Sequence, residues 1–190
     1  MGQFDKDALP QGASLRQLWP HERDAFLSHL LRLDDKARHA RFGFGVADEF
    51  LENYAETAFS LDSVIHGCFL DGDLRATGEL RALLEDGAQA AEAAFTVEPP
   101  WQDSGIGTEL MRLTIRSARN QDIHTLYMIC LASNKRMQRI AKKHNADLTV
   151  IEGSVEGRID PPGPTPASVT AEWMDNTQGF VTAIFSWPVR

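Results

Sequence analysis

Cysteine is nearly absent from this 190-residue sequence: Cys68 and Cys130 are the two present, and both sit inside apolar, strand-like runs. A disulfide framework is not indicated, and buried thiols in a reducing, cytoplasmic setting are the expectation. Long apolar runs are missing too. No stretch reaches the ~18 consecutive apolar residues of a membrane-spanning helix, and the opening "MGQFDKDALPQG" has no apolar signal-peptide core. Gly2 begins no myristoylation site, because position 6 is Lys6. Basic residues are the minority, 19 Lys and Arg against 27 Asp and Glu, and the net charge of −8 argues against a dedicated nucleic-acid binder. Repeats and low-complexity tracts are lacking as well. With 43% hydrophobic residues the chain can bury one substantial core. The expected organisation is a flexible segment over 1–12 and a single domain over 13–190.

Periodicity supplies the elements. Ala13 to Trp19 reads as a short strand, and Pro20 opens a helix with Phe26, Leu27, Leu30 and Leu31 on one face. A second helix starts near Asp48 and carries Phe50, Leu51, Tyr54, Ala55 and Ala58 at helical spacing. The intervening "DDKARHARFGFG" is polar and glycine-bearing, so it reads as a surface connection. From Ser63 the pattern becomes an antiparallel meander: "SVIHGCFL", the turn "DGD", "LRATGELRALL", the turn "EDG" and "AQAAEAAFTV". A helix from about Gly105 to Arg119 follows, with Ile106, Leu110, Leu113 and Ser117 on one side. "IHTLYMICLA" reads as a buried strand, and "SNKRMQRIAKKHN" as a helix with Met137, Ile140 and Ala141 inward. The tail offers two strands, "DLTVIEGSVEGRI" and "GFVTAIFSW", with a helix over "PASVTAEWMD" between them.

The stretch "VEPPWQDSGIGTELMRL" places two glycines where a helix must begin. Glycine in a helical turn costs about 1 kcal/mol relative to alanine, so the pair calls for a compensating use. One is a tight strand-to-helix turn with no ligand. The other is an anion, since the first N–H groups of a helix lack partners and carry the positive end of its dipole.

"QDSGIG", Gln102 to Gly107, matches the Q/R-x-x-G-x-G/A signature of the GNAT superfamily of acyl-CoA N-acyltransferases, and the element order of nearly the whole chain, Ala13 to Trp187, resembles that family too. The resemblance implies an α/β (α+β) fold, a mixed central sheet with helices on both faces, and acetyl-CoA as cosubstrate. It assigns the pyrophosphate cradle to Gln102, Asp103, Ser104, Gly105, Ile106, Gly107 and Thr108. The backbone of Phe95 and Val97, on a strand that splays from its neighbour, pairs with the pantetheine arm, and Pro99 and Pro100 end that strand. Asp103 would repel a diphosphate, so an outward placement as helix cap or dipole partner is expected. Asn134 is a cofactor contact or a helix cap. Lys135, Arg136, Arg139, Lys142 and Lys143 are a solvated helix face or a contact with the 3′-phosphate. Many relatives carry a tyrosine acid seven residues after the asparagine, whereas here that position is Ala141.

Amine acylation needs a neutral amine, yet an alkylamine is mostly protonated at neutral pH, so a base must help. Glu92 and Glu79 on the meander are the candidates, with Glu92 favoured because it resembles the glutamate on the family's strand leading into the signature. The alternative for each is a salt-bridged or solvent-facing strand residue. Arg38, His39, Arg41 and Phe42 are expected near the acceptor, and "ARHARF" is similar to a segment of bacterial lysine-acetylating enzymes. Arg41 suits an acceptor carboxylate or pairs with Asp48 or Glu49. Two functions compete: N-acetylation of a small-molecule amine or protein lysine by direct attack, and a catalytically silent CoA-binding module that senses or regulates. No metal, nucleic acid or membrane partner is expected. The apolar "FVTAIFSW", read as an exposed edge strand, points to a homodimer.

Overall fold

Strands whose central residues are buried on both faces build the first half of the sheet. Strands β1 (Ser14–Gln17), β2 (Ser63–Leu70), β3 (Asp73–Leu83) and β4 (Ala90–Val97) lie side by side, each antiparallel to the next. Asp71 (φ 53°) and Gly72 (φ 87°) join β2 to β3 with the left-handed pair that suits a twisted hairpin. The computed structural model describes residues 9–83 and 89–185. The expected "EDG" turn and most of the expected N-terminal segment lie outside them.

Helix α4 (Ile106–Asn120) then crosses over to β5 (Thr125–Leu131), which is parallel to β4. Helix α5 (Lys135–Lys143) leads into β6 (Asp147–Ile151) and β7 (Ser154–Ile159), giving a seven-stranded mixed sheet in the order β1-β2-β3-β4-β5-β7-β6. Helices cover both faces. Helix α1 (Arg23–Leu31) and helix α3 (Asp48–Ala58) bury Phe26, Leu30, Leu51 and Ala55 against Ile65 and Leu74. On the opposite face Met111 and Ala118 of α4 and Ala141 of α5 pack on Leu80, Ala93, Leu126 and Met128.

Three expectations need correction. "DDKARHARFGFG" is not a plain connection but contains helix α2 (Asp35–Phe42): the Asp34 carboxylate accepts from Ala37 N at 2.7 Å, and left-handed Gly43 closes the far end. "DLTVIEGSVEGRI" is a hairpin rather than one strand, because Glu152 (φ 31°) and Gly153 (φ 85°) reverse the chain between β6 and β7. "GFVTAIFSW" is not a strand up to Phe185 but the end of a 20-residue helix, α6 (Pro166–Phe185). Its β-branched residues mimic a strand, yet Gly179 and Ala183 turn inward at helical spacing. The edge-pairing reason for a homodimer falls with that strand.

Two buried histidines tie layers together. His29 contacts Glu98 through Nδ1 at 3.1 Å and Thr96 through Nε2 at 2.7 Å, while Thr96 and Thr77 hydroxyls are 2.6 Å apart. Since the carboxylate only accepts, Nδ1–H donates to Glu98, Thr96 donates to Nε2, and Thr77 donates to Thr96. Burial lowers the His29 pKa and outweighs the hydrogen bond and charge of Glu98, so His29 is neutral at pH 7. Glu98 also takes Arg32 Nε at 2.9 Å and Arg75 Nη1 at 3.2 Å. Burial pushes its pKa up, but hydrogen bonds from His29 and Arg32 outweigh this and the net shift is downward. On the other side of the sheet His66 Nε2 lies 2.9 Å from Ser117 Oγ, and burial pulls its pKa down to about 3.

An unfolded histidine takes up its proton near pH ~6.5, whereas these two resist protonation in the folded chain. Folding stability is therefore expected to be flat above that pH and to fall below it, by about 1.4 kcal/mol per pH unit for each histidine. Glu98, held ionised, adds loss of the same sign once the pH drops through the carboxylate range. Urea titrations between pH 8 and 4 check this; a stability that stays level through pH 5 contradicts it.

Candidate active site

The ladder between β4 and β5 is short. It pairs Ala90, Ala91 and Glu92 with Thr125, Leu126 and Tyr127, yet β4 runs on to Val97 and β5 to Leu131. A wedge opens between them from residue 93 onward. Glu98 N donates to Arg75 O at 3.0 Å, and antiparallel pairs alternate, so even-numbered β4 residues bond to β3. The odd ones, Ala93, Phe95 and Val97, direct their N–H and C=O groups into the wedge.

The loop that follows closes one end of it. Pro99–Trp101 form a 3-10 turn, Gln102 Nε2 donates to Val97 O at 3.0 Å, and Ser104 Oγ donates to Trp101 O. Asp103 (φ 57°) and Gly105 (φ 78°) are left-handed, and Gly105 is the N-cap of α4 with no side-chain cap bond. The amides of Ile106 and Gly107, at the start of α4 beside Ser104 and Gly105, thus have no capping side chain, whereas Thr108 N already donates to Gly105 O at 3.0 Å. Gly107 has a packing reason of its own: a Cβ there would lie 2.9 Å from Ile140 Cδ1 of α5.

Asp103 is half exposed but caps nothing; it pairs with Arg136 of α5 at 2.9 Å and lies 4.0 Å from Arg139. Arg136 Nη1 also donates to Gln102 Oε1 at 2.6 Å, so α5 braces the loop. Asn134 caps α5, its Oδ1 accepting from Met137 N at 3.1 Å. Ala141 is buried in the core. Lys142 and Lys143 stand in the last turn of α5, where they complement the helix dipole.

On the face covered by α1–α3, next to the ladder's last rung, is a cavity of about 100 Å³. Arg41, Tyr54, Glu79, Arg81, Glu92 and Ala94 line it. The register sets Arg81 opposite Glu92 and Glu79 opposite Ala94. Glu79 is buried and fully engaged: Tyr54 Oη donates to its Oε2, and Arg41 Nη2 donates to its Oε1 at 3.1 Å and to Tyr54 Oη at 2.6 Å. Burial and the Glu79 charge raise the Tyr54 pKa, so the phenol keeps its proton. Phe42 packs edge-on to Tyr54 with centroids 5.3 Å apart, and Arg41 lies over the Phe42 ring at 4.8 Å. Glu92, by contrast, is exposed.

Among the expected acceptor residues, the structure brings together Arg41, Phe42, Glu79 and Glu92. Arg41 pairs with Glu79 rather than with Asp48 or Glu49; it is Arg38 that binds Asp48, at 2.7 Å. Arg38 also donates to the carbonyls of Leu33 and Leu31, and His39 is exposed. Tyr54 and Arg81 were not expected in the site. Tyr54 sits within the apolar stripe of α3, where its ring is core and only its hydroxyl is site.

The chain from residue 20 to residue 146 matches the family model described as the Acetyltransferase (GNAT) family. The chain belongs to that family. Solved structures share the fold: the GNAT domain of S. lividans PAT is 19% identical, with a TM-score of 0.68 over 78% of this chain and 90% of that one. The yncA protein of Salmonella typhimurium, solved with its cofactor acetyl-CoA, is 15% identical, with a TM-score of 0.65 over 80% and 96%. A cAMP-binding acyltransferase from Mycobacterium smegmatis is 22% identical with a TM-score of 0.59; it covers 93% of this chain, which spans 54% of its length. Among curated proteins none matches significantly. As in GNAT relatives generally, the activity of this class is acyl transfer from acyl-CoA to amines.

Removing Glu79 strands a buried guanidinium. Glu79→Ala is expected to cost about 3 kcal/mol of folding stability, the range for breaking a buried pair, and Tyr54→Phe about half of that. Urea unfolding of the two variants measures both, and a loss within error of zero for Glu79→Ala removes Glu79 from the framework of the site.

Proposed function

We propose that this chain is an acetyl-CoA-dependent N-acetyltransferase whose acceptor is a primary amine, of a small molecule or of a protein lysine, and that the amine attacks the thioester directly. The observation that carries this reading is the end of the β4–β5 ladder at Glu92, which sets a wedge of backbone groups not paired with β5 beside a cavity containing a carboxylate.

The residues fit acetyl-CoA. Phe95 and Val97 offer backbone groups to the pantetheine amides along the wedge, and the uncapped N-terminus of α4 offers the amides of Gly105 to Gly107 and the helix dipole to the pyrophosphate, with the Thr108 side chain beside them. The negative charge of Asp103 is offset by Arg136, so it does not oppose a diphosphate as a bare carboxylate would. Arg139 and the lysines of α5 supply positive charge toward the 3′-phosphate, and Asn134 keeps an amide N–H₂ beyond its capping role. Acetyl-CoA supplies an acetyl group as a thioester, open to attack at the carbonyl carbon with the CoA thiolate leaving.

Glu92, exposed in the cavity, takes a proton from the acceptor ammonium, directly or through water. Glu79 is unsuited to that task because both of its oxygens are engaged, so it positions Arg41 and Tyr54 instead. Val97 N–H, aimed into the wedge, is placed to stabilise the oxyanion. The two buried free thiols fit a reducing compartment, the cytoplasm. One observation favours the second reading, a silent CoA-binding module: Ala141 packs in the core, and no acid occupies that position.

An amine panel scored by thiol release from acetyl-CoA separates the two readings, turnover with any amine supporting the first. Glu92→Gln is expected to lower turnover by about 10²–10⁴-fold while leaving the affinity for CoA, read by calorimetry, unchanged. Full turnover in that variant removes Glu92 from the proton transfer. Gly105→Glu, checked by melting to be folded, is expected to abolish CoA binding; retained affinity places the pyrophosphate elsewhere.

A further inference from the structure

Two guanidiniums reach the acceptor cavity, and they are not equivalent. Arg41 is held from two sides: Nη2 donates to Tyr54 Oη and to Glu79 Oε1, and the Phe42 ring lies against the guanidinium. Its charge is matched by the buried Glu79 carboxylate. Arg81 has no such match. Its guanidinium lies 5.6 Å from the centroid of the Tyr54 ring, and its side chain makes no hydrogen bond or ion pair among the described residues. The whole N–H fork is open to a ligand or to water.

Glu92 is the second unmatched charge. The register sets it directly across from Arg81 on the neighbouring strand, and opposite charges at such positions ordinarily pair, because their Cβ atoms are only about 5 Å apart. Both residues line the cavity and both are exposed, yet they form no ion pair. Arg81 turns to Tyr54 instead, and Glu92 keeps both oxygens open. The cavity therefore presents one free cation and one free anion side by side.

We propose that the acceptor is a small free amino acid, its carboxylate bound by Arg81 and its ammonium set against Glu92, a reading that rests on acetyl transfer to an amine and names the class of amine. A guanidinium fork matches the two oxygens of a carboxylate in one plane, and a bare amine has nothing to offer it. Because Arg81 and Glu92 are cross-strand neighbours, the two charges they take up must lie close together on one molecule. The ε-ammonium of a protein lysine stands at the end of a four-carbon stem and brings no carboxylate to Arg81. In a chain of net charge −8, an unmatched cation at the cavity is also what draws an anion there. During transfer the amine nitrogen bonds to the thioester carbonyl carbon, the C–S bond breaks with the CoA thiolate leaving, and the ammonium proton passes to Glu92. The product is an N-acetylated acid, which has lost the cation that faced Glu92 and keeps the carboxylate on Arg81.

Matched acceptors test it: α-amino acids against the amines left by their decarboxylation, phenylalanine with phenethylamine and lysine with cadaverine among them, scored by thiol release from acetyl-CoA. The amino acid of each pair is expected to have the higher kcat/KM, by about 10- to 100-fold, the usual worth of a charge-assisted contact. Arg81→Ala is expected to bring that ratio close to one and Arg81→Lys to keep part of it, a change in discrimination that a general loss of folding does not produce. A ratio near or below one in the parent chain, or a preference that survives Arg81→Ala, overturns the proposal and leaves acetyl transfer in place. A lysine peptide amide used better than every free amino acid does the same. If no amine of the panel is turned over, it is acetyl transfer that fails, and calorimetry of the same amino acids on the acetyl-CoA-loaded protein decides. Binding that is lost in Arg81→Ala supports the carboxylate site; absent binding, or binding indifferent to Arg81, overturns it.

Discussion

The parting of β4 from β5 after Glu92 is the constraint on which the rest of the site depends. A ladder continued to Val97 would satisfy the backbone and close the sheet; its interruption leaves groups that need partners. The strand end stays in place because it is secured from its other edge and from both faces. Thr96 and Glu98 are bonded to His29 of α1, Glu98 also to Arg32 at the cap of that helix and to Arg75 of β3, and Phe95 and Val97 pack toward α4. The Glu98 carboxylate is therefore a fixed post: three cationic or imidazole donors from two elements hold the end of β4 open rather than letting it drift to β5.

The acceptor side obeys a different logic. Its two carboxylates descend from adjacent strands, yet one is consumed by Arg41 and Tyr54 and the other faces solvent. Two glutamates of like chemistry thus acquire unlike roles through their neighbours alone. The aromatic wall of Phe42 and Tyr54 confines Arg41, so the guanidinium acts on Glu79 rather than on whatever enters the cavity.

Where periodicity was strong, the sequence was legible: "SVIHGCFL" is β2 to the residue, and the stripe of α4 is buried as its spacing implies. The glycine pair located the uncapped helix start, although Gly107 answers to Ile140 as well as to any ligand. Helix α2 escaped notice because its polarity hid the signal, while Asp34 and Gly43 at its ends marked a cap on either side. The α6 tail misled because its apolar residues face outward, which inverts the rule that burial follows hydrophobicity. Long-range pairings such as Arg41 with Glu79, or Asp103 with Arg136, join residues more than thirty apart and leave no trace in local pattern.

The short ladder also divides the sheet into two parts, each with one cysteine. Cys68 on β2 belongs to the meander half, where burial pushes its thiol up to about 11; Cys130 on β5 belongs to the other half, and burial raises its pKa as well. Neither thiolate is available to a thiol reagent while its half stays closed. The labelling rates of the two thiols therefore act as separate clocks for the opening of the two halves. Their ratio tells whether a three-rung seam is enough to make the sheet open as one cooperative body or as two.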